Sequence, residues 1–240
     1  MLYDKNSPAT IEAMFSSIAN DYDRVNTITS FGFHKLWNRC LIKAVLKRAK
    51  PGVHLDLCCG TGAIGVPLGY KIRKKLTKLH LLDFSKPMLE RALHRGLEYG
   101  LDPSQLEIHF EDAQTIPLPS NSVDSATIAY GIRNVKNPLL VLQEARRVLK
   151  KGGVFAILEL TMPTNKAAAY MYKLFLKKGL PALASLVTRN PLAYRYLSSS
   201  IQEFIPLSHL ELLAESEELK VVQKKRFLMG LASLLVLEKG

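Results

Sequence analysis

Two strand-like runs near the C-terminus, residues 220–227 and 231–237, are separated by only Leu228-Met229-Gly230. So short a connection forces them to pair antiparallel, because a parallel crossover needs about a dozen residues. Upstream, five further apolar runs alternate with helix-like segments: Val53–Leu57, Lys78–Asp83, Leu106–Phe110, 123–128 and 154–160. Strand–helix alternation of this kind gives a parallel sheet covered on both faces. The expected fold is therefore α/β, a mostly parallel seven-stranded sheet finished by an antiparallel C-terminal hairpin. One helix is expected over 85–99, with Ser85 as N-cap and Pro87 in its first turn. Another is expected over 138–149, stopped by Lys150-Lys151-Gly152-Gly153.

The rest of the chain divides around that sheet within one domain. Residues 1–50 read as a helical cap, 51–160 as the ligand-binding core, 161–205 as a lid insertion and 206–240 as the final helix and hairpin. The lid stretch holds six basic residues and one acid, Glu203, interleaved with Tyr170, Tyr172, Phe175, Tyr194 and Tyr196. Its segment "KLFLKKGLPALASLV" is amphipathic. Open α/β sheets bind ligands at the carboxyl ends of their strands, and both extra segments are candidates to cover that edge.

Charge narrows the partners. With 33 basic and 21 acidic residues the formal net charge is +12, which favours nucleic acid, phosphates or anionic lipid headgroups without choosing among them. The longest apolar runs fall far short of the ~18 residues that span a bilayer. The first ten residues have no signal-peptide core, so a cytoplasmic protein is expected. Three cysteines, two adjacent, make no disulfide framework. The six histidines show no ligand spacing, so no metal site is expected.

The segment "HLDLCCGTGAIG", residues 54–65, carries the chemistry. Its glycines satisfy the dinucleotide spacing G-x-G-x-x-G, and no G-K-[ST] follows, which removes a P-loop. Asp83, at the end of the second run, stands where a ribose-binding acid should. Asp56, however, lies just before the loop and would repel a pyrophosphate, while attracting an ammonium group. S-adenosylmethionine has an ammonium and no pyrophosphate. Asp83 can accept from its ribose hydroxyls, and Asp112-Ala113, after the third run, are placed to meet an adenine amino group.

With those residues in view, the chain resembles the UbiE/MenG/COQ5 family of class I methyltransferases. The resemblance runs nearly end to end, through "MFSSIANDYDRVNTITSFGFHKLW", "LDLCCGTG", "LLDFSKPML", "EDAQTIPLPSNSVDSATIAYGIRNV", "EARRVLKKGGVFAILEL" and "YRYLSSSIQEF". The G-T-G loop and "PLPSNSVDSAT" are generic to methyltransferases. The "YGIRNV", "YD..N" and "YRYLSSSI" segments are particular to this family. The resemblance implies a Rossmann-like fold and S-adenosylmethionine as cofactor. Its implied reaction is C-methylation of a prenylated quinol, demethylmenaquinol ahead of the methoxybenzoquinol of ubiquinone synthesis. Cofactor contacts are expected from Asp56, Gly60, Thr61, Gly62, Asp83, Phe84, Asp112 and Ala113. Two positions depart from the family pattern: Ala63 where an acid is usual, and Ala129 where a serine is frequent.

Methylating a quinol carbon requires a stabilised phenolate and an aligned ring, so positioning and preorganised charge are the large terms. Arg133-Asn134, just past the fourth run, fit that task, the guanidinium facing the oxyanion and the amide orienting it or a water. Tyr22 is expected to close the site from the N-terminal cap. Glu159 reads as a structural carboxylate ahead of an acid/base group, and Cys58 and Cys59 as chemically inert. A prenylated substrate makes transient contact with an anionic membrane surface reasonable, peripheral on its inner face. A homodimer is compatible with the sequence. Nucleic acid is not expected as a partner: no RRM, KH or helix-turn-helix pattern stands out. "YGIRN" also fills the place where base-modifying enzymes often carry an N-P-P-Y-type tetrapeptide.

Overall fold

The computed structural model describes residues 8–185 and 191–240. Three helices, α1 (Pro8–Ile18), α2 (Tyr22–Thr29) and α3 (Phe33–Arg48), precede the sheet. The core then runs β1 (Val53–Leu57), α4 (Gly65–Ile72), β2 (Lys78–Asp83), α5 (Lys86–Glu98), β3 (Leu106–Phe110), β4 (Val123–Ala129), α6 (Pro138–Val148) and β5 (Leu149–Leu160). Helices α7 (Lys166–Leu174), α8 (Leu180–Ser185) and α9 (Pro191–Glu203) follow. The chain finishes with α10 (Leu207–Ser216), β6 (Leu219–Phe227) and β7 (Ala232–Lys239).

The sheet order is β3-β2-β1-β4-β5-β7-β6. Neighbours from β3 through β5 pair parallel, and β7 pairs antiparallel with both β5 and β6. The short Leu228–Gly230 turn thus does what its length requires, with Leu228 and Met229 at positive φ and Gly230 at φ 105°. Successive side chains of β5 and β7 enter opposite cores. Phe155, Ile157, Leu235 and Leu237 pack with α6 and α10, while Val154, Ala156, Leu158, Leu234 and Val236 pack against α3. Strands buried on both faces read as continuous apolar runs, which is why these were visible in the sequence.

Strand order turns around between β1 and β4, opening a crevice at the carboxyl ends of the strands. Helices α1 and α2 and the α7–α9 segment share a separate apolar cluster built on Ile11, Met14, Val25, Leu176, Leu180 and Tyr196.

Two local expectations are corrected. Helix α6 ends at Val148, and residues 150–153 bulge from β5 instead of capping the helix. Val123 pairs with Leu149 but Ser125 with Val154, and Gly152 (φ 71°) takes the left-handed position of that bulge. Ser85 stands at the N-cap position of α5 as expected, with Pro87 in the first turn, but its side chain makes no capping bond. Its hydroxyl meets Ser16 Oγ at 2.9 Å, and its backbone N–H donates to Asp83 Oδ1 at 2.9 Å.

Candidate active site

The Gly-rich loop is held by two buried aspartates. Asp83 Oδ2 accepts from Gly60 N–H at 2.8 Å, tying the end of β2 to the loop. Burial raises the Asp83 pKa to about 6, against the pull of N–H groups from Gly60, Ser85 and Phe84. Asp56 accepts from Gly65 N–H at 2.8 Å and from Thr127 Oγ1 at 2.6 Å, so both of its oxygens serve the protein. A Cβ on Gly65 would lie 2.8 Å from the Asp56 carboxylate, so glycine there lets the start of α4 settle on the acid. Burial lifts Asp56 to about 7.

A first cavity lies over this loop, walled by Gly60, Asp83, Phe84, Asp112 and Ala113 together with Cys58, Phe15, Tyr22, Met88, Tyr130 and Asn134, among others. Gly60 sits at φ 53°, and a Cβ on it would have only Tyr22 within 4 Å, at 3.9 Å, so the bare backbone leaves this part of the wall open. Three expected contacts are placed elsewhere. Asp56 is buried beneath the loop and is not on the wall of this cavity, so it serves as an anchor for Gly65 and Thr127, whereas Asp83 does line it. Thr61 Oγ1 donates to Asp23 at 2.8 Å and accepts from Arg95 at 3.1 Å, fastening α2 and α5 to the loop. Gly62 (φ 76°) admits Val66 and Ala92, each within 3.2 Å of where its Cβ would be. Both cysteine thiols are held well above their ordinary pKa by burial, with nearby Asp83 adding to it, so neither is a ready thiolate.

A second cavity of about 660 Å³ adjoins the first. Its walls come from α2, α3, α7, α9 and the β6–β7 turn and are mostly apolar, with Phe31, Trp37, Met171, Phe175, Leu197 and Met229 among them. Tyr22 and Tyr130 belong to both cavities and mark where they meet. Arg133 is the one permanently charged side chain on this wall among the described residues.

The surroundings of Arg133 explain two family-specific segments. Its Nη1 donates to Glu159 Oε1 at 2.7 Å and to the Tyr130 carbonyl, its backbone N–H donates to Glu159 Oε2 at 3.2 Å, and its Nε donates to Ser200 Oγ at 3.3 Å. Nη2 has no hydrogen-bond partner among the described residues. The guanidinium pKa is raised; burial opposes this, but Glu159 and neighbouring tyrosines outweigh it. Asn134, on the same turn, accepts from Tyr196 O–H at 3.1 Å and donates to the Tyr130 carbonyl at 3.3 Å. "YRYLSSSI" therefore supplies the hydroxyls that fix "YGIRN". Tyr130 and His34 carry no local signal for these walls, since their neighbours come from segments far apart in the chain, whereas Tyr172 comes from the lid stretch expected to cover this edge.

The histidines are less scattered than their spacing suggests. Strand register brings His80, Glu107 and His109 together on the β2–β3 edge, with ligand-type atoms within 4.8 Å of one another. His80 Nδ1 and His109 Nε2 are 3.0 Å apart, and burial lowers both imidazoles, His80 to about 4. A neutral, mutually hydrogen-bonded pair follows, with Glu107 shared with Lys78 at 3.6 Å.

Sheet order, reversed C-terminal hairpin and a Gly-loop cleft beside a covered second chamber define a class I methyltransferase fold. Solved structures agree. A methyltransferase from Thermotoga maritima, described as a possible histamine N-methyltransferase, superposes with TM-score 0.62 at 20% identity, covering 95% of this chain and 99% of that one. A protein from Pyrococcus horikoshii gives 0.62 at 18% identity, covering 92% and 99%. Residues 3–238 match the ubiE/COQ5 methyltransferase family, and the chain belongs to it. Demethylmenaquinone methyltransferase of Protochlamydia amoebophila is 42% identical over 214 residues, 89% of this chain and 88% of that one. Its counterpart from Chlamydia trachomatis serovar D is 35% identical over 237 residues, 98% and 99% of the two. The chain is a methyltransferase that uses S-adenosylmethionine.

Proposed function

We propose that this enzyme C-methylates demethylmenaquinol, with the cofactor in the Gly-loop cavity and the prenylated quinol in the apolar chamber. The observation that carries the reading is the junction of the two cavities at Tyr22 and Tyr130, with a lone charge, Arg133, on the apolar side. Both relatives described above bear the name of this activity.

The donor set fits the cofactor. Asp83 would accept from its ribose hydroxyls and Asp112 would meet its adenine end. Gly60 leaves the cleft open. When bound, S-adenosylmethionine supplies a methyl group on a positively charged sulfur, an excellent leaving group. Arg133, through an Nη2 with no partner among the described residues, would stabilise the oxyanion formed as a quinol hydroxyl ionises, and Tyr22, shared by both cavities, would hold the ring in line, with Asn134 on the cofactor side of the junction. Radiolabelled methyl transfer to reduced demethylmenaquinone, followed by mass spectrometry, tests this assignment.

The role of Asp83 has a pH signature. The carboxylate accepts hydroxyl donors and the neutral acid accepts them poorly, so protonation works against cofactor binding. With its pKa raised to about 6, the cofactor Kd should be flat above about pH 7, roughly double near pH 6 and approach a tenfold rise per unit below that. Calorimetry from pH 5 to 8 checks this, with Asp83→Asn expected to bind weakly at every pH.

Membrane contact is the remaining part of the proposal. No helix among the described residues is long and apolar enough to cross a membrane. Yet Phe31, Phe33, Met171, Leu228 and Met229 are exposed while lining the chamber, Phe31 and Met229 at 69% and 70%. Lys166, Lys173, Lys177 and Lys178 are exposed on the adjoining α7–α8 segment. The amphipathic segment 173–187 runs partly outside the described residues. An apolar rim with a basic surround suits a site that draws its substrate from an anionic bilayer. The protein should co-sediment with anionic liposomes at low salt, and Phe31→Ser with Met229→Ser should abolish most of that binding; equal sedimentation of the double variant would remove the rim from the account.

A further inference from the structure

We propose that His34 is the base that takes the hydroxyl proton of the acceptor, an inference that rests on the quinol reading above. Tyr22, Asn26, Ser30 and His34 recur at four-residue spacing, and all four line the apolar chamber. The first three follow one face of α2, and Ser30 ends that helix. The chain then turns through Phe31 (φ 49°) and Gly32 (φ 76°), both left-handed, which places His34 in the first turn of α3.

Hydrogen bonding fixes the imidazole tautomer. Ser30 Oγ donates its only hydrogen to the Asn26 carbonyl at 2.6 Å. At 2.7 Å from His34 Nδ1 it therefore accepts, and Nδ1 must carry the ring hydrogen. Nε2 is left with a lone pair and with no partner among the described residues. A serine acceptor behind one ring nitrogen and an open lone pair on the other is how a histidine base is oriented.

Other groups on the same wall are unsuited to the task. Arg133 is a cation whose pKa is raised further. Tyr22, Tyr130 and Tyr172 are all shifted upward by burial, so at neutral pH they donate protons instead of accepting them. Glu159 is spent on Arg133 and on the N–H of Leu160. His34 is lowered by burial first and by Lys35 second, against Asp23, and the N-terminus of α3 also disfavours the imidazolium. It is neutral at pH 7 and ready to accept.

The step balances. The quinol O–H proton passes to Nε2, and the ring carbon's electron pair forms the new carbon–carbon bond as the methyl–sulfur bond breaks. The ring carbon then loses its hydrogen to water as a proton, while the imidazolium returns its own to the oxygen. One proton is released per methyl group, and a neutral thioether leaves.

The test uses the full chain, reduced demethylmenaquinone with a short prenyl tail and saturating S-adenosylmethionine, so that Asp83 does not enter. His34→Gln should lose about 10²–10³ in kcat with cofactor Kd and circular dichroism unchanged. The wild-type profile should show an acid limb below pH 6.5 that the variant lacks, and added imidazole should restore part of the turnover of His34→Ala. Full turnover in His34→Gln, or wild-type activity with no acid limb below pH 6.5 at any pH where the protein stays folded, overturns the assignment; the second needs no variant to fold. Wild-type enzyme that does not methylate this acceptor at all would instead overturn the quinol reading.

Discussion

Arg133→Ala should lower kcat by about 10²–10³ while cofactor Kd stays within about twofold. Arg133 lines the apolar chamber and not the Gly-loop cavity, so the two effects separate by position. Three of its hydrogen bonds are directed back into the protein, which fixes the planar group before any acceptor arrives. An oxyanion meets a donor that needs no reorganisation, the condition under which fixed charge contributes most to rate. Arg133→Lys keeps the charge but loses the fork, and should recover only part of the turnover. Steady-state kinetics with equilibrium binding of the cofactor decides the matter. Weakened cofactor binding with normal turnover of the bound fraction would contradict the role.

Glu159→Ala should be the most destabilising single change at the site, by about 3–5 kcal/mol. The Arg133–Glu159 pair has side-chain exposures of 5% and 2%, with Nη1 and Oε1 2.7 Å apart. Removing the acid strands a guanidinium charge next to an apolar chamber and also deprives the backbone N–H groups of Arg133 and Leu160 of an acceptor. Glu159→Gln keeps an oxygen for some of those bonds and should cost less. Urea midpoints for the two variants measure this. A loss below about 1 kcal/mol for Glu159→Ala would mean that water already reaches the pair.

The sheet was legible because its inner strands β1, β2, β4, β5 and β7 are largely apolar and buried on both faces, and because three residues can join only antiparallel neighbours. Asp83, Phe84, Asp112 and Ala113 were legible as cleft residues because loops following parallel strands open at the switch point. Asp56 was misjudged for an equally physical reason. Its place beside the loop suggested a ligand contact, but it lies off the cavity wall, where it accepts from Gly65 and Thr127. The glycine at 65 was the available signal, since a side chain there would collide with the acid. Ser85 holds its N-cap position but turns its hydroxyl to Ser16, and Gly152 is taken by the β4–β5 pairing instead of a helix cap. The shared position of Tyr130 and the orientation of His34 depend on walls assembled from α2, α3, α7 and β4, which no local pattern records.

The central claim is that two cavities meeting at Tyr22 and Tyr130 bring a sulfonium methyl group to a prenylated naphthoquinol. The most direct measurement incubates the enzyme with methyl-labelled S-adenosylmethionine and, separately, reduced demethylmenaquinone, the reduced methoxybenzoquinone precursor and transfer RNA. One labelled methyl group should appear on the naphthoquinol ring carbon and none on RNA. Label on RNA, or on a nitrogen or oxygen of any acceptor with the naphthoquinol untouched, would contradict it.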